Sequence, residues 1–91
     1  MRINFYAALR KITGQKRVDL GLPPGTTVRQ MVEAVLLQYP SMREKLLDEN
    51  GHIGLHAHVF INGRDAPLLK EGLDTSLSAS DIIDIFPIGH F

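Results

Sequence analysis

Four histidines, ten carboxylates and a glycine three residues from the C-terminus are the groups of this 91-residue chain that could do chemistry. His52, His56 and His58 fall within seven residues, and His56 and His58 share a strand face if a strand begins that early. Zinc takes three or four ligands. The chain has no cysteine, and no Asp or Glu stands at a recognisable ligand spacing around these histidines. They read as surface or half-buried loop residues, and no metal is expected. Asp48, Glu49, Asp81 and Asp84 fall in caps, turns and a strand edge, where carboxylates serve structure. Neither a nucleophile elbow nor a phosphate-cradling glycine loop is present. The chain is expected to be no catalyst itself and to bind no cofactor.

The remaining candidate chemistry is terminal. Asp81 to Phe86 reads as a strand, with Ile83 and Ile85 on one face and Ile82, Asp84 and Phe86 on the other. Apolar residues on both faces predict a strand buried in the middle of a sheet. Pro87 lacks an N–H and is expected to end the ladder, leaving 87–91 as a flexible tail, Pro87-Ile88-Gly89-His90-Phe91. Tyr6, Phe60 and Phe86 lie together on an open sheet face in one register and are buried in the next, so a partner-binding aromatic patch depends on register.

Composition narrows the classes. Ten basic and ten acidic residues cancel, which removes the electrostatic drive for nucleic acid or an anionic membrane. Arg2, Arg10, Lys11, Lys16 and Arg17 gather around the first predicted hairpin. Either a basic binding surface or a solvated hairpin face accounts for them, and the second is the plainer account. No secretory leader pattern or membrane-length apolar run opens the chain, so a cytoplasmic location is expected. A single domain spanning 1–91 buries roughly 60–65% of its unfolded surface at this length.

The elements that must position the tail follow from periodicity. Residues 2 to 8 alternate with Ile3, Phe5 and Ala7 on one side, Ala8 to Ile12 is helix-permissive, and Thr13-Gly14-Gln15 is a turn. Arg17 to Leu20 alternates again and completes an antiparallel hairpin with a wide loop. Thr27 and Gln30 have capping-box spacing, and Val28, Met31, Val32, Val35, Leu36 and Tyr39 form one helical stripe that Pro40 stops. Ser41 and Glu44 repeat the capping-box spacing before a short second helix, which Asn50 or Gly51 ends in a left-handed conformation. His52 to Ala57 is ambiguous. His58 to Ile61 is a strand, Asn62-Gly63 a two-residue hairpin turn, and Arg64-Asp65-Ala66 a stub cut short by Pro67. Leu68 to Leu77 is a turn-rich excursion, and Ser78 to Asp81 a turn into the final strand. The sum is a two-layer α+β fold: a mixed sheet of four to five strands, the first and last parallel at its centre, and one main helix across one face. That is the β-grasp, or ubiquitin-like, arrangement.

In order and spacing the chain resembles the MoaD/ThiS sulfur carriers over essentially its whole length. The resemblance rests on Phe5-Tyr6-Ala7-Ala8-Leu9-Arg10, Thr13-Gly14, Leu22-Pro23-Pro24-Gly25-Thr26-Thr27-Val28, Tyr39-Pro40, Val59-Phe60-Ile61-Asn62-Gly63 and Leu77-Ser78-Ala79-Ser80-Asp81 leading to Ile85-Phe86-Pro87. It implies a carrier whose terminal glycine carboxylate is adenylated by an E1-like partner using ATP and then converted to a thiocarboxylate. It also implies a sulfur-acceptor enzyme such as a molybdopterin synthase large subunit. Carriers of this family end in Gly-Gly, which suits a narrow channel because glycine has no side chain.

This chain departs from that pattern, ending Ile88-Gly89-His90-Phe91. One reading has a processing metalloprotease remove His90-Phe91 to expose Gly89. The other has a β-grasp binding module without carrier chemistry. It would use Phe60, Phe86, Pro87, Ile88, His90 and Phe91 to bind a partner or to form a homo-oligomer.

Overall fold

The computed structural model describes residues 1–53 and 56–88. Its strands are β1 (Arg2–Phe5), β2 (Arg17–Asp19), β3 (Ala57–Ile61), β4 (Arg64–Asp65) and β5 (Ile83–Pro87). The helices are α1 (Ala8–Thr13), α2 (Val28–Gln38) and α3 (Arg43–Leu46). The five strands form one mixed sheet in the order β2-β1-β5-β3-β4, with β1 and β5 parallel at the centre and the other pairs antiparallel. The expected arrangement is thus the observed one, at the upper strand count.

α2 forms where the sequence asks for it. The Thr27 side chain accepts from the Gln30 N–H at 3.1 Å while the Gln30 side chain accepts from the Thr27 N–H at 3.0 Å, so both arms of the capping box close. Val28, Met31, Val32 and Val35 are buried on its inner stripe. Against them pack Ile3, Phe5, Val18, Ala57, Val59, Ile61, Ile83 and Ile85 from the sheet, all at most 5% exposed. Each fully buried large aliphatic or phenyl side chain stabilises the fold by about 1.5–3 kcal/mol. Tyr39 caps the layer edge-on to Phe5, ring centres 6.4 Å apart.

Left-handed residues make two of the expected turns. Gly14 closes α1 at φ 77°, and Asn62-Gly63 adopts φ 53° and 82°, the pair of positive angles a two-residue hairpin needs. Asn62 does more than turn. Its Nδ2 donates to Asp81 at 2.9 Å and its Oδ1 accepts from the Ile82 N–H at 2.9 Å, so the β3–β4 turn is fastened to the start of β5.

Three expectations need correction. Ser41 does not cap α3: it lies inside a 3-10 turn, Pro40–Met42, and α3 starts without a side-chain cap. Pro at the head of that turn already dispenses with one N–H, so the serine has no helix start to serve. α3 also ends in extended Leu47 rather than in a left-handed residue, and Gly51 (φ 79°) belongs to the following turn, Asp48 to Gly51. Finally, Pro87 lies within β5, opposite Ala57, and the Ile88 N–H still donates to the His56 carbonyl at 2.8 Å. That bond makes Pro87–Ala57 a non-hydrogen-bonded pair, so the missing N–H of Pro87 faces the side that β1 leaves after Phe5. A proline costs nothing there, and the strand ends one residue later than its sequence suggests, having begun at Ile83 rather than Asp81.

The two sides of β5 set a direct test. Ile85 is fully buried and Ile82 is 58% exposed. Ile85→Ala should lose roughly 2–5 kcal/mol in urea unfolding, while Ile82→Ala should stay within about 0.5 kcal/mol. Equal losses would refute the assigned register. A second test concerns Asp81, whose carboxyl accepts the Ser78 N–H at 2.8 Å and then Asn62 Nδ2, which hold it below the ordinary carboxylate range. A depressed folded-state value stabilises the native state above the unfolded value of about 3.9 and is lost as pH falls through and below it. Wild type should therefore lose stability across that acid window more steeply than Asp81→Asn, with Asp19 and Asp48, both also lowered, supplying the remaining slope. Parallel acid profiles would exclude the role given to Asp81.

Candidate functional site

The face of the sheet opposite α2 is uncovered by any element among the described residues, and the aromatic residues gather there. Tyr6 stacks on Phe86 with ring centres 4.1 Å apart and planes 10° from parallel. Phe60 meets Phe86 edge-on at 5.6 Å, and the His58 ring lies 5.4 Å from Phe60. All four are only half-buried. The register that brings them together is fixed by His58 opposite Phe86 and Phe60 opposite Asp84 across β3–β5. Aromatic contacts of this kind contribute about 0.5–1.5 kcal/mol beyond their buried area.

Tyr6 reaches this patch from beyond the end of β1. The chain leaves the strand at Phe5 and turns through Ala7, a non-glycine residue at φ 52°, into α1. A non-glycine residue at positive φ is uncommon and costs of order 1 kcal/mol or more. Here that turn starts the basic α1 segment right after Tyr6.

Polar groups tie the patch to the centre of the sheet. Asp84 Oδ1 accepts from the Tyr6 hydroxyl at 2.8 Å and from Asn4 Nδ2 at 2.9 Å, and Asn4 Oδ1 accepts from Arg17 Nε at 3.2 Å. β1 and β5 being parallel sets Asn4 directly beside Asp84. The hydrogen bond to Asp84 raises the Tyr6 phenol above its ordinary value, burial and the Asp84 charge add to the rise, and Arg10 and Arg17 oppose it. On the other flank His58 Nδ1 lies 3.2 Å from Asp65 Oδ2. Sequence reasoning singles out neither Asn4 nor Asp65, and it gives Asp84 a structural role. The parity Asn4, Tyr6 on β1 and Asp84, Phe86 on β5 carries the signal, but only once the strands are known to pair in parallel.

The sequence-derived candidates divide sharply. Phe60, Phe86, Pro87 and Ile88 converge at the C-terminal end of β5. Gly89, His90 and Phe91 lie outside the described residues, and the sheet includes Pro87, with the Ile88 N–H still bonded to the His56 carbonyl. The histidines do not assemble. His52 sits exposed in the turn after α3, with its N–H on Asp48 Oδ1 at 2.9 Å, His56 is exposed before β3, and His58 is on the aromatic face. No three His, Asp or Glu side chains among the described residues are grouped to hold a metal. Strand β3 begins at Ala57, so His56 never shares a strand face with His58. The ambiguous stretch from His52 to Ala57 includes residues 54 and 55, which are outside the described set. β5 is central in the sheet as expected, but it is buried on one face only: Ile82 is exposed, and Asp84 and Phe86 are half-buried on the open face. Among the described residues no helix is long and apolar enough to cross a membrane.

A mixed five-stranded sheet under one main helix, with its first and last strands parallel at the centre, defines a ubiquitin-like β-grasp protein. The sequence pattern of the ThiS family matches residues 3–89, and the chain belongs to that family of small ubiquitin-like sulfur carriers. Among solved structures it is similar to small archaeal modifier protein 1 of Methanosarcina acetivorans, at 26% identity over 94% of this chain and 89% of that one, with a TM-score of 0.75. It is also similar to a chain of the Amycolatopsis orientalis BexX/CysO complex, at 22% identity over 99% and 97% of the two chains, TM-score 0.76. Sulfolobus solfataricus Urm1 matches at 22% identity over 97% and 100%, TM-score 0.66. Among curated proteins none matches this sequence.

The Tyr6–Asp84 bond yields a spectroscopic prediction. With Tyr39→Phe as background, alkaline ultraviolet titration should show the Tyr6 phenol ionising above its ordinary value of about 10, and Asp84→Asn should move it back towards that value. Identical titrations in the two proteins would contradict the bond.

Proposed function

We propose that this chain carries sulfur as a C-terminal thiocarboxylate on Gly89. The observation that supports this most directly is the placement of β5. It runs through the centre of the sheet, carries Phe86 onto the open aromatic face, and is followed in the sequence, after Pro87 and Ile88, by Gly89, the residue where the family match ends. A terminus based on a central strand is held at a fixed angle to the docking face, so a partner that grips the aromatic patch also positions the residue it must react with.

The chemistry would run in three steps. A processing metalloprotease hydrolyses the Gly89–His90 peptide bond and releases the His-Phe dipeptide. An E1-like enzyme joins the freed carboxylate to the α-phosphate of ATP, with pyrophosphate leaving, and the resulting mixed anhydride makes the acyl carbon electrophilic. Hydrosulfide sulfur then adds to that carbon and AMP departs, leaving the thiocarboxylate for an acceptor enzyme such as a molybdopterin synthase large subunit. ATP is the partner's substrate, and the chain itself supplies the carboxylate and the docking face. That a neighbouring structure is a complex, BexX/CysO, favours partnership through a second protein.

Ile88 favours a second reading. Where a carrier of this family has glycine, this chain has a β-branched residue whose N–H is bonded to the His56 carbonyl. A binding module that uses His90-Phe91 as an anchor would show the same feature.

Truncation distinguishes the two. The chain ending at Gly89 should support pyrophosphate exchange into ATP by the adenylating enzyme of the same genome, and the full chain should not. A binding module should instead lose its partner on the same truncation. Mass spectrometry of protein from the native host should show a species ending at Gly89, in part with one oxygen replaced by sulfur. Finding only the full-length chain while sulfur transfer is active would reject the carrier reading.

A further inference from the structure

The chain is neutral as a whole but not locally. Five of its ten basic residues and none of its ten acidic residues lie in residues 1–18, so the rest carries five basic against ten acidic residues. Most of this positive charge lies near the exit of β5. Phe5 pairs with Ile85, so the end of β1, the start of α1 and the exit of β5 lie together. Arg10 and Lys11 share the rim of an open hollow on α1, lined also by Ala7, Ala8 and Gly14. Lys16 is anchored by its carbonyl, which accepts the Phe5 N–H at 2.6 Å, and its ammonium sits 5.4 Å from the Tyr6 ring centre. Arg10, Lys11 and Lys16 are all exposed, and among the described residues none has a carboxylate within salt-bridge distance. The carboxylate of the patch itself, Asp84, already accepts two bonds.

A solvated hairpin face would be expected to intersperse both signs, as the surface elsewhere does with Arg29–Asp74. Lys16 over the Tyr6 ring, with Arg10 and Lys11 on the α1 segment that follows Tyr6, gives a half-exposed aromatic cluster an unpaired cationic side, the two parts of an interface, an apolar centre and a charged rim. We propose that Arg10, Lys11 and Lys16 steer a protein partner onto the Tyr6–Phe86–Phe60 patch. The partner is one that presents an apolar residue ringed by carboxylates, and on the carrier reading it is the adenylating enzyme that acts on the tail. Three cations are too few for tight phosphate-backbone binding, since each neutralised phosphate adds only one counterion to the release that drives it. Their use is kinetic: a complementary field raises the association rate, and exposed rim charges add little to the lifetime of the complex.

The rate constants separate the two halves. The chain ending at Gly89 and the full chain are each mixed, in stopped flow, with the adenylating enzyme of the same genome at salt from about 20 mM to about 0.5 M, where the Debye length shrinks from tens of ångströms to a few. The triple variants Arg10→Gln/Lys11→Gln/Lys16→Gln and Arg10→Glu/Lys11→Glu/Lys16→Glu should lower the association rate about tenfold or more at low salt and little at high salt. Dissociation should change less than about twofold for these rim charges. Phe60→Ala should do the opposite, speeding dissociation with little effect on association. Thermal melts confirm that each variant is folded, and the neutral glutamine set serves should the glutamate set unfold. Binding that persists with a salt-independent rate, unchanged in both triple variants, overturns this proposal and leaves the carrier reading standing. Absence of binding by both chain forms overturns both. Micromolar binding of wild type to duplex DNA that the glutamine variant loses would assign the cations to nucleic acid and overturn the protein partner.

Discussion

The parallel pairing of β1 with β5 is the constraint on which the rest of the molecule depends. Without it the sheet would be two antiparallel halves, β2-β1 and β5-β3-β4, from opposite ends of the chain. Its register places Ile3 beside Ile83 and Phe5 beside Ile85 under the helix, and Asn4 beside Asp84 on the other face. A slip of one residue would invert every one of these side chains, moving isoleucines into water and a carboxylate into the core. Core and candidate site are therefore specified by one set of backbone bonds. Residues about 80 apart must meet to make them, and loop closure over that distance slows folding relative to local hairpins.

Local chemistry was the legible part of the sequence. The Thr27–Gln30 box, the Asn62-Gly63 turn and the stripe on α2 each depend on residues a few positions apart, and each forms as read. The alternation of β1, read over residues 2 to 8, holds only to Phe5, after which Ala7 turns out exposed at positive φ. Ser41 shows the limit of such reading. Its spacing to Glu44 satisfies the same rule as Thr27 and Gln30, yet a preceding proline had already begun a tighter turn. Pro87 shows another. Whether a proline ends a strand depends on which neighbour its nitrogen faces, and that is a property of the sheet rather than of the peptide. The same holds for the candidate site. Tyr6, Phe60 and Phe86 were identifiable as aromatics of uncertain face, but Asn4 and Asp84 acquire a role only through the parallel register, and nothing in the sequence announces a positive φ at Ala7.

Asp84 is an unusual choice for the middle of a sheet, and its surroundings account for it. An unpaired carboxylate at a half-buried position would lose much of its hydration without compensation. Here Tyr6 and Asn4 both donate to one of its oxygens, and Arg17 reaches Asn4 in turn. The arrangement fixes the Tyr6 ring by its hydroxyl at one end and by Phe86 at its face. An aromatic held in this way loses little freedom when a partner covers it, which lowers the entropic cost of docking. The polar network thus serves the apolar patch, by fixing it before the partner arrives.

The same reasoning bears on the reach of the tail. The last described contact of the chain with the body of the fold is the Ile88 N–H on the His56 carbonyl. On the carrier reading only Gly89 then lies beyond that bond, and one extended residue spans at most about 3.6 Å. A carrier with several free glycines can send its carboxylate deep into a channel while its body stays outside. This chain cannot do so while Ile88 remains paired. Either the partner's reactive centre lies close to the docking face, or docking must break the Ile88–His56 bond and draw the end of β5 out of the sheet. The second route costs one backbone hydrogen bond, about 0.5–1.5 kcal/mol net, together with whatever half-buried contact Ile88 gives up. That cost is small against the energy a docked aromatic patch can supply, so the isoleucine restricts which partners can use the tail more than it forbids its use.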